Sequence, residues 1–304
     1  MSRDTIYERY IECHWWTDID KRQVNSWLLN FGSEKDIGKL ILDNVFFYSK
    51  DQLISYTKNI LNQIKGELFQ KNQLQNGMSY NDDMYYFNQW ENYKQCLRVI
   101  PAAKLGDVGE SGYEVIRKYY RSLLGNDVIS DISGIEDGIV NQVKEFIFVD
   151  DFSGSGNQMK EFLETEVSIN GKTIRLCNLS REFPDITITI AVYVIHKNAL
   201  TMLNENFPQI KIRYIDLIDE KFDFLNCDSI FYSKLSNEKR IYITEFIKEK
   251  REVIVKDNSK YEKMMGYQLN IPIVFYHGCP NNTLMLLYAD SSNWKKIFKL
   301  GDEI

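Results

Sequence analysis

No run of apolar residues in this 304-residue sequence approaches the roughly 18 that a membrane-spanning helix needs. Met1 to Tyr10 carries charge throughout and holds no apolar core of the signal-peptide kind. A cytoplasmic protein is the expectation, with no membrane among its partners. Cysteine is sparse: Cys13, Cys96, Cys177, Cys227 and Cys279 are scattered and odd in number. No pair has metal-ligand spacing, so they read as reduced thiols. Histidine is scarcer still, and His14, His196 and His277 show no zinc spacing. No structural metal is expected. Net positive charge is also lacking. A net charge of -6 argues against broad nucleic-acid binding, although Arg117-Lys118 with Arg121 could form a local basic patch. No internal repeat is visible. What remains is a globular composition, 44% apolar, in a chain long enough for one large domain or two small ones. Its 19 Tyr and 17 Phe, with frequent Asn, Lys and Ile, suit an AT-rich bacterial genome.

The pattern along the chain changes once. Residues 17 to about 68 read as helical throughout, with Ser33/Asp36 and Ser49/Gln52 placed as capping boxes. Ile37, Leu40, Ile41 and Val45 form one stripe, and Leu53, Ile60, Leu61, Ile64 and Leu68 another. Trp27, Leu28 and Phe31 add large core groups upstream. Residues 70 to 82 are rich in Gln and Asn, with Gly77 and Ser79, and read as a loop or domain joint. From about residue 97 strands alternate with helices. Strands are expected at Leu97–Ala103, Phe146–Val149, Ile186–Ile195, Ile210–Leu217 and Ile271–Tyr276. Helices are expected from Ser111, with Glu114 as a third capping box, to Leu124, then at Asn198–Phe207 and Lys239–Lys250. Alternation of this kind implies an α/β fold with a parallel sheet. The expected division is a helical N-terminal region, 1–95, followed by an α/β domain, 96–304.

Within that domain the segment Phe146 to Gln158 carries the chemistry. Four apolar residues, Phe146 to Val149, are followed by Asp150 and Asp151, then by Phe152-Ser153-Gly154-Ser155-Gly156-Asn157-Gln158, then by a helical pattern of Met159, Phe162 and Leu163. Small residues let a backbone approach a ligand closely, and stacked N–H groups at a helix start favour an anion. Two carboxylates beside such a cradle must face something other than phosphate, such as a ribose diol or a magnesium-bearing diphosphate. A dinucleotide fingerprint is excluded because Met159 stands where a third glycine is needed, and a P-loop because Asn157 follows Gly156. The plainer alternative is a strand-to-helix turn with Asp150 and Asp151 as capping acids.

The order of strand, acid pair, small-residue loop and helix resembles the signature of the phosphoribosyltransferases. That resemblance implies phosphoribosyl pyrophosphate (PRPP) as ligand. Asp150 and Asp151 would be the catalytic pair that holds the ribose diol and, through the ligand, helps orient Mg2+. Ser153, Gly154, Ser155, Gly156, Asn157 and Gln158 would bind the 5′-phosphate. Ser155-Gly156 takes the place of the usual Thr-Gly. Gly154 replaces a residue that often carries base chemistry, and Gln158 stands where a second hydroxyl is usual.

Two further loops follow strands, where open α/β sheets bind ligands. In Lys104–Gly112 the fold resembled places a pyrophosphate loop, with Lys104 as the cation and Gly106 as an exposed N–H; a solvated loop is the alternative. In the second loop His277, Asn281 and Asn282 are candidates for the base or acceptor side, since Asn amides both donate and accept. Helix capping before Leu284 is the alternative for the Asn pair. The string Pro280-Asn281-Asn282-Thr283-Leu284, with Trp294 and Phe298 beyond it and Trp27-Leu28-Leu29-Asn30-Phe31 near the start, resembles a divergent branch of phosphoribosyltransferase-like proteins from bacterial conflict systems. His14 reads as packing and His196, at the carboxyl end of a long strand, as a cap or surface residue, with lining of the cleft as the alternative. The resemblance implies transfer of a phosphoribosyl group to an open acceptor, a base, an amine or water. The rival is a non-catalytic nucleotide-sensing module, or a toxic effector of an anti-phage system, acting on a protein partner through the helical N-terminal region.

Overall fold

The structure, a computed structural model, describes residues 5–16, 19–76, 83–103, 111–262 and 269–301. The chain divides into two compact units, Asp51–Leu217 and the discontinuous Met1–Lys50 with Ile218–Ile304. These boundaries differ from the break expected near residue 95.

In the Asp51–Leu217 unit four parallel strands lie side by side in the order Leu97–Pro101, Glu145–Ser153, Thr187–His196 and Lys211–Arg213. The two central strands are buried along almost their whole length. Strands covered on both faces read as continuous apolar runs, which is how Phe146–Val149 and Ile186–Ile195 read. On one face Phe146, Phe148, Ile188, Ile190 and Val192 share a core with Met159, Phe162 and Leu203. Phe148 and Phe162 meet edge to face at 5.0 Å. On the other face the helices Lys50–Asn76 and Asp83–Gln95 contribute polar partners. Thr57 Oγ1 lies 2.6 Å from the Tyr193 hydroxyl, and the Tyr93 hydroxyl donates to Glu145 Oε2 at 2.7 Å. The other oxygen of that buried carboxylate accepts from Thr189 Oγ1 at 2.5 Å. Buried polar groups need such partners, so residues 51–95 belong with the sheet they satisfy.

Several local expectations are corrected. Residues 70–76 continue the helix to Asn76 instead of forming a loop, since that stretch itself holds no glycine or proline; 77–82 lie outside the described residues. The expected strand Ile210–Leu217 is two short ones, Lys211–Arg213 and Asp216–Ile218. The 111–124 helix is α-helical over Ser111–Val115 and Arg121–Leu124 but π-helical over Ile116–Tyr120.

The other unit is not helical throughout its first fifty residues. Phe46–Tyr48 is a strand paired in parallel with Ile273–Phe275. Three successive aromatic residues have high strand propensity, and a tertiary partner realises it. The helix after Ser33 is capped at Glu34 without a side-chain bond, so the Ser33/Asp36 box does not form. The unit's core gathers the two chain segments. Trp27 and Phe31 rings lie 4.7 Å apart, Phe31 meets Trp294 at 5.3 Å, and Trp16 meets Phe298 at 5.3 Å.

Candidate functional site

The acid-pair strand runs through Ser153, not to Val149. Asp150 therefore lies inside the ladder opposite Val192, and Ser153 lies opposite Ile195. Both acids are buried, Asp150 with 5% and Asp151 with 4% exposure, whereas a strand-end position implies partial exposure. A buried carboxylate needs hydrogen bonds to offset desolvation. Asp150 Oδ1 has two donors: Ser111 Oγ at 2.5 Å and the Asp151 N–H at 2.9 Å. Ser111 thus hydrogen-bonds the acid. Glu114 pairs with Arg117 and Lys118, at 2.7 and 2.8 Å, which offsets charge in the expected basic patch.

Successive side chains of a strand point to opposite faces, so the two acids have different surroundings. Asp150 shares the parity of Phe146 and Phe148. Asp151 shares that of Glu145 and lies beside Tyr193. Burial pushes the Tyr193 phenol well above its ordinary range, and the nearby Tyr120, Tyr119 and Asp151 push the same way. Burial likewise raises Tyr120, whose hydroxyl has no hydrogen-bond partner among the described residues. Tyr119 meets Tyr193 edge to face at 6.1 Å.

After Ser153 the chain turns through Gly154, which is buried, and Ser155, which is exposed. Gly156 has φ +80° and precedes the helix Asn157–Leu163. A side chain there would be strained. Its Cβ would lie 2.4 Å from Met202 Cε and 3.2 Å from the Ala199 Cα. Glycine is thus required twice, by conformation and by close approach. Ser155 Oγ accepts the Asn157 N–H at 3.3 Å, and Asn157 and Gln158 are exposed. His196, at the carboxyl end of the neighbouring strand, caps the next helix: its Nδ1 accepts the Asn198 N–H at 3.1 Å.

Lys104 and Gly106 lie outside the described residues. At the end of their loop Gly112 is pressed against the sheet. A Cβ there would sit 2.9 Å from the Val149 carbonyl and 3.2 Å from the Ala102 nitrogen. His277, Asn281 and Asn282 belong to the other unit. His277 is buried and stacked on Phe275 at 5.5 Å. Asn281 and Asn282 occupy a tight turn closed by the Thr283 N–H on the Pro280 carbonyl at 3.0 Å. Neither caps the short helical turn that follows, whose N-cap is Leu284. Sequence reasoning missed the roles of Ser111 and Tyr193. For Ser111 the available signal was a hydroxyl following a glycine-rich loop; Tyr193 offered none within its apolar run.

Among the described residues no group of three or more His, Cys, Asp or Glu could hold a metal ion, and no helix is long and apolar enough to cross a membrane. The two acids leave the strand on opposite faces, so each enters singly as a hard oxygen donor, which fits a Mg2+ that is held mainly by diphosphate oxygens and needs only one or two protein carboxylates.

Two comparisons bear on identity. No curated protein matches the chain. The profile of the PRTase-CE family matches residues 24–300, which takes in the acid-pair strand, its glycine turn, the whole Asp51–Leu217 unit and most of the other. This chain therefore belongs to the PRTase-CE family, a phosphoribosyltransferase-type family.

Proposed function

We propose that this phosphoribosyltransferase-like protein binds PRPP, or a related ribose 5-phosphate nucleotide, with Mg2+, and transfers the phosphoribosyl group to an acceptor. The observation that carries the reading is the acid pair near the end of a central parallel strand, followed directly by the turn at Gly156. A ribose diol offers two O–H donors, and ionised carboxylates accept only. The backbone of Ser153–Gln158 supports a 5′-phosphate, with Ser155 and the Gln158 side chain exposed to it. Lys104 and Gly106 enter as the pyrophosphate side through the family resemblance.

Breaking the bond from C1′ to pyrophosphate develops positive charge on the sugar and negative charge on the leaving group. The acid pair holds the sugar and favours its cationic character, and the loop fixes the phosphate end. Positioning of this kind lowers the barrier by replacing free encounter with a held geometry. Mg2+, when bound, neutralises the departing diphosphate.

The test uses the full chain with PRPP and Mg2+, following binding by calorimetry and pyrophosphate release alone and with a panel of bases and nucleotides. Binding with release supports transfer. Binding without release under all these conditions favours the nucleotide-sensing or anti-phage effector reading, with a protein partner. Absence of binding up to about millimolar ligand, the weak limit of specific recognition, overturns the ribose-phosphate reading.

A further inference from the structure

We propose that Ser111 is a positioning residue for the sugar-binding acid, aiming the Asp150 carboxylate so that it distinguishes ribose from deoxyribose. The inference rests on the reading of Asp150 as a ribose-binding group. It adds a residue from a different element of the fold, with its own geometric basis.

Three observations converge. First, Ser111 Oγ donates to Asp150 Oδ1 at 2.5 Å, and the same oxygen accepts the Asp151 N–H at 2.9 Å. Two donors on one oxygen anchor that oxygen and so restrict rotation of the carboxylate. Second, the donor is itself held. Gly112 brings the helix start so close to the sheet that a single added carbon would contact the Val149 carbonyl at 2.9 Å. Ser111, the residue before it, therefore starts its helix directly beside the sheet. Third, the far end of the same helix is anchored. Its π-helical segment turns both Tyr119 and Tyr120 fully inward, with Tyr119 against Tyr193 on the neighbouring strand. A π-helical turn inside an α-helix is uncommon and often marks a functional position. The helix is thus fixed at both ends, and its first hydroxyl is spent on the acid.

A carboxylate recognises a diol through the direction of its lone pairs, so its orientation matters more for a ligand with both hydroxyls than for one lacking the 2-hydroxyl. Removing the Ser111 hydroxyl takes away one donor that aims the carboxylate and keeps the Asp151 N–H, so the group is held less closely in its orientation. Phosphate contacts, made elsewhere on the loop, are unchanged.

The experiment measures calorimetric affinities of the full chain for ribose 5-phosphate and 2-deoxyribose 5-phosphate, in the wild type, S111A and S111T, with a melting curve for each. The wild type is expected to prefer the ribose compound. S111A should lose about tenfold in ribose 5-phosphate affinity, the scale of one charge-assisted hydrogen bond, with little change for the deoxy compound, so that the preference shrinks. S111T, which keeps the hydroxyl, should retain it. Equal weakening of both sugars in S111A, or no change in either, overturns the inference even when the wild type binds. A wild type that binds neither sugar overturns this inference and the ribose-phosphate reading together. If S111A does not fold, S111C, with a weaker donor of similar size, carries the same comparison.

Discussion

Trp27 and Trp294 donate their indole N–H groups to one and the same acceptor, the Leu286 carbonyl, at 2.8 and 2.9 Å. A carbonyl oxygen has two lone pairs, and here both are met by side chains from opposite ends of the chain. This shared acceptor ties the two segments of the discontinuous unit together within their common apolar core. Replacing either tryptophan by phenylalanine leaves one donor on a buried carbonyl and should cost about 1 kcal/mol beyond any packing loss. Replacing both removes the last donor, so the double variant should lose more than the sum of the two singles. Urea unfolding of the four proteins measures this coupling, and strict additivity would show that the two bonds are independent.

Gly156→Ala should destabilise the Asp51–Leu217 unit. A left-handed residue with a side chain costs about 1–2 kcal/mol, and the Ala199 backbone at 3.2 Å cannot yield as the Met202 methyl can. The variant should also bind ribose 5-phosphate more weakly, because the turn it distorts supports the phosphate. A denaturation midpoint unchanged from the wild type would contradict the close approach.

Asp150→Asn together with Asp151→Asn should abolish detectable binding of PRPP with Mg2+, as followed by calorimetry. Both acids are buried, so a change in melting temperature is expected as well. Loss of stability with full retention of binding would assign the pair a structural role only.

Glu67 gives a prediction for pH. Burial works to raise its pKa, but the Arg213 guanidinium and the Lys211 ammonium outweigh it and hold the carboxyl below its usual 4.5. Lys211 Nζ lies 2.9 Å away, and Arg213 donates to the other carboxylate oxygen. A depressed carboxylate pKa contributes stability that is fully present above the unfolded value and lost as pH falls through the folded one. The Glu67 side chain is 43% exposed, so solvent screening keeps the contribution near ~0.2–1 kcal/mol. Glu67→Gln should therefore unfold slightly more easily at pH 7, and the gap should close on acidification from about pH 4.5 downward and shrink in high salt. A gap that stayed constant from pH 7 to pH 3 would rule out the ion pair as its cause.

Much of the parallel sheet was legible because its central strands are apolar over uninterrupted runs. Phe146–Val149 and Ile186–Ile195 were placed to within a few residues. The hairpin of Glu166–Ile169 with Lys172–Arg175 went unread, although Asn170-Gly171, both with positive φ, is the dipeptide that such two-residue turns demand. The strand Phe46–Tyr48 could not be read locally, because its pairing partner Ile273–Phe275 lies near the other end of the chain.

The sequence by itself determined the order of the candidate site: an apolar strand, an adjacent acid pair, and a turn whose glycine no other residue replaces. These depend on local conformation and on residue size, which neighbours in the chain settle. Only tertiary structure decided how the chain divides, how deeply the acids lie, and that the Ser111 hydroxyl reaches Asp150. Those outcomes depend on which distant donors reach each buried acceptor, and hydrogen bonds between residues far apart in the chain leave no period in the sequence.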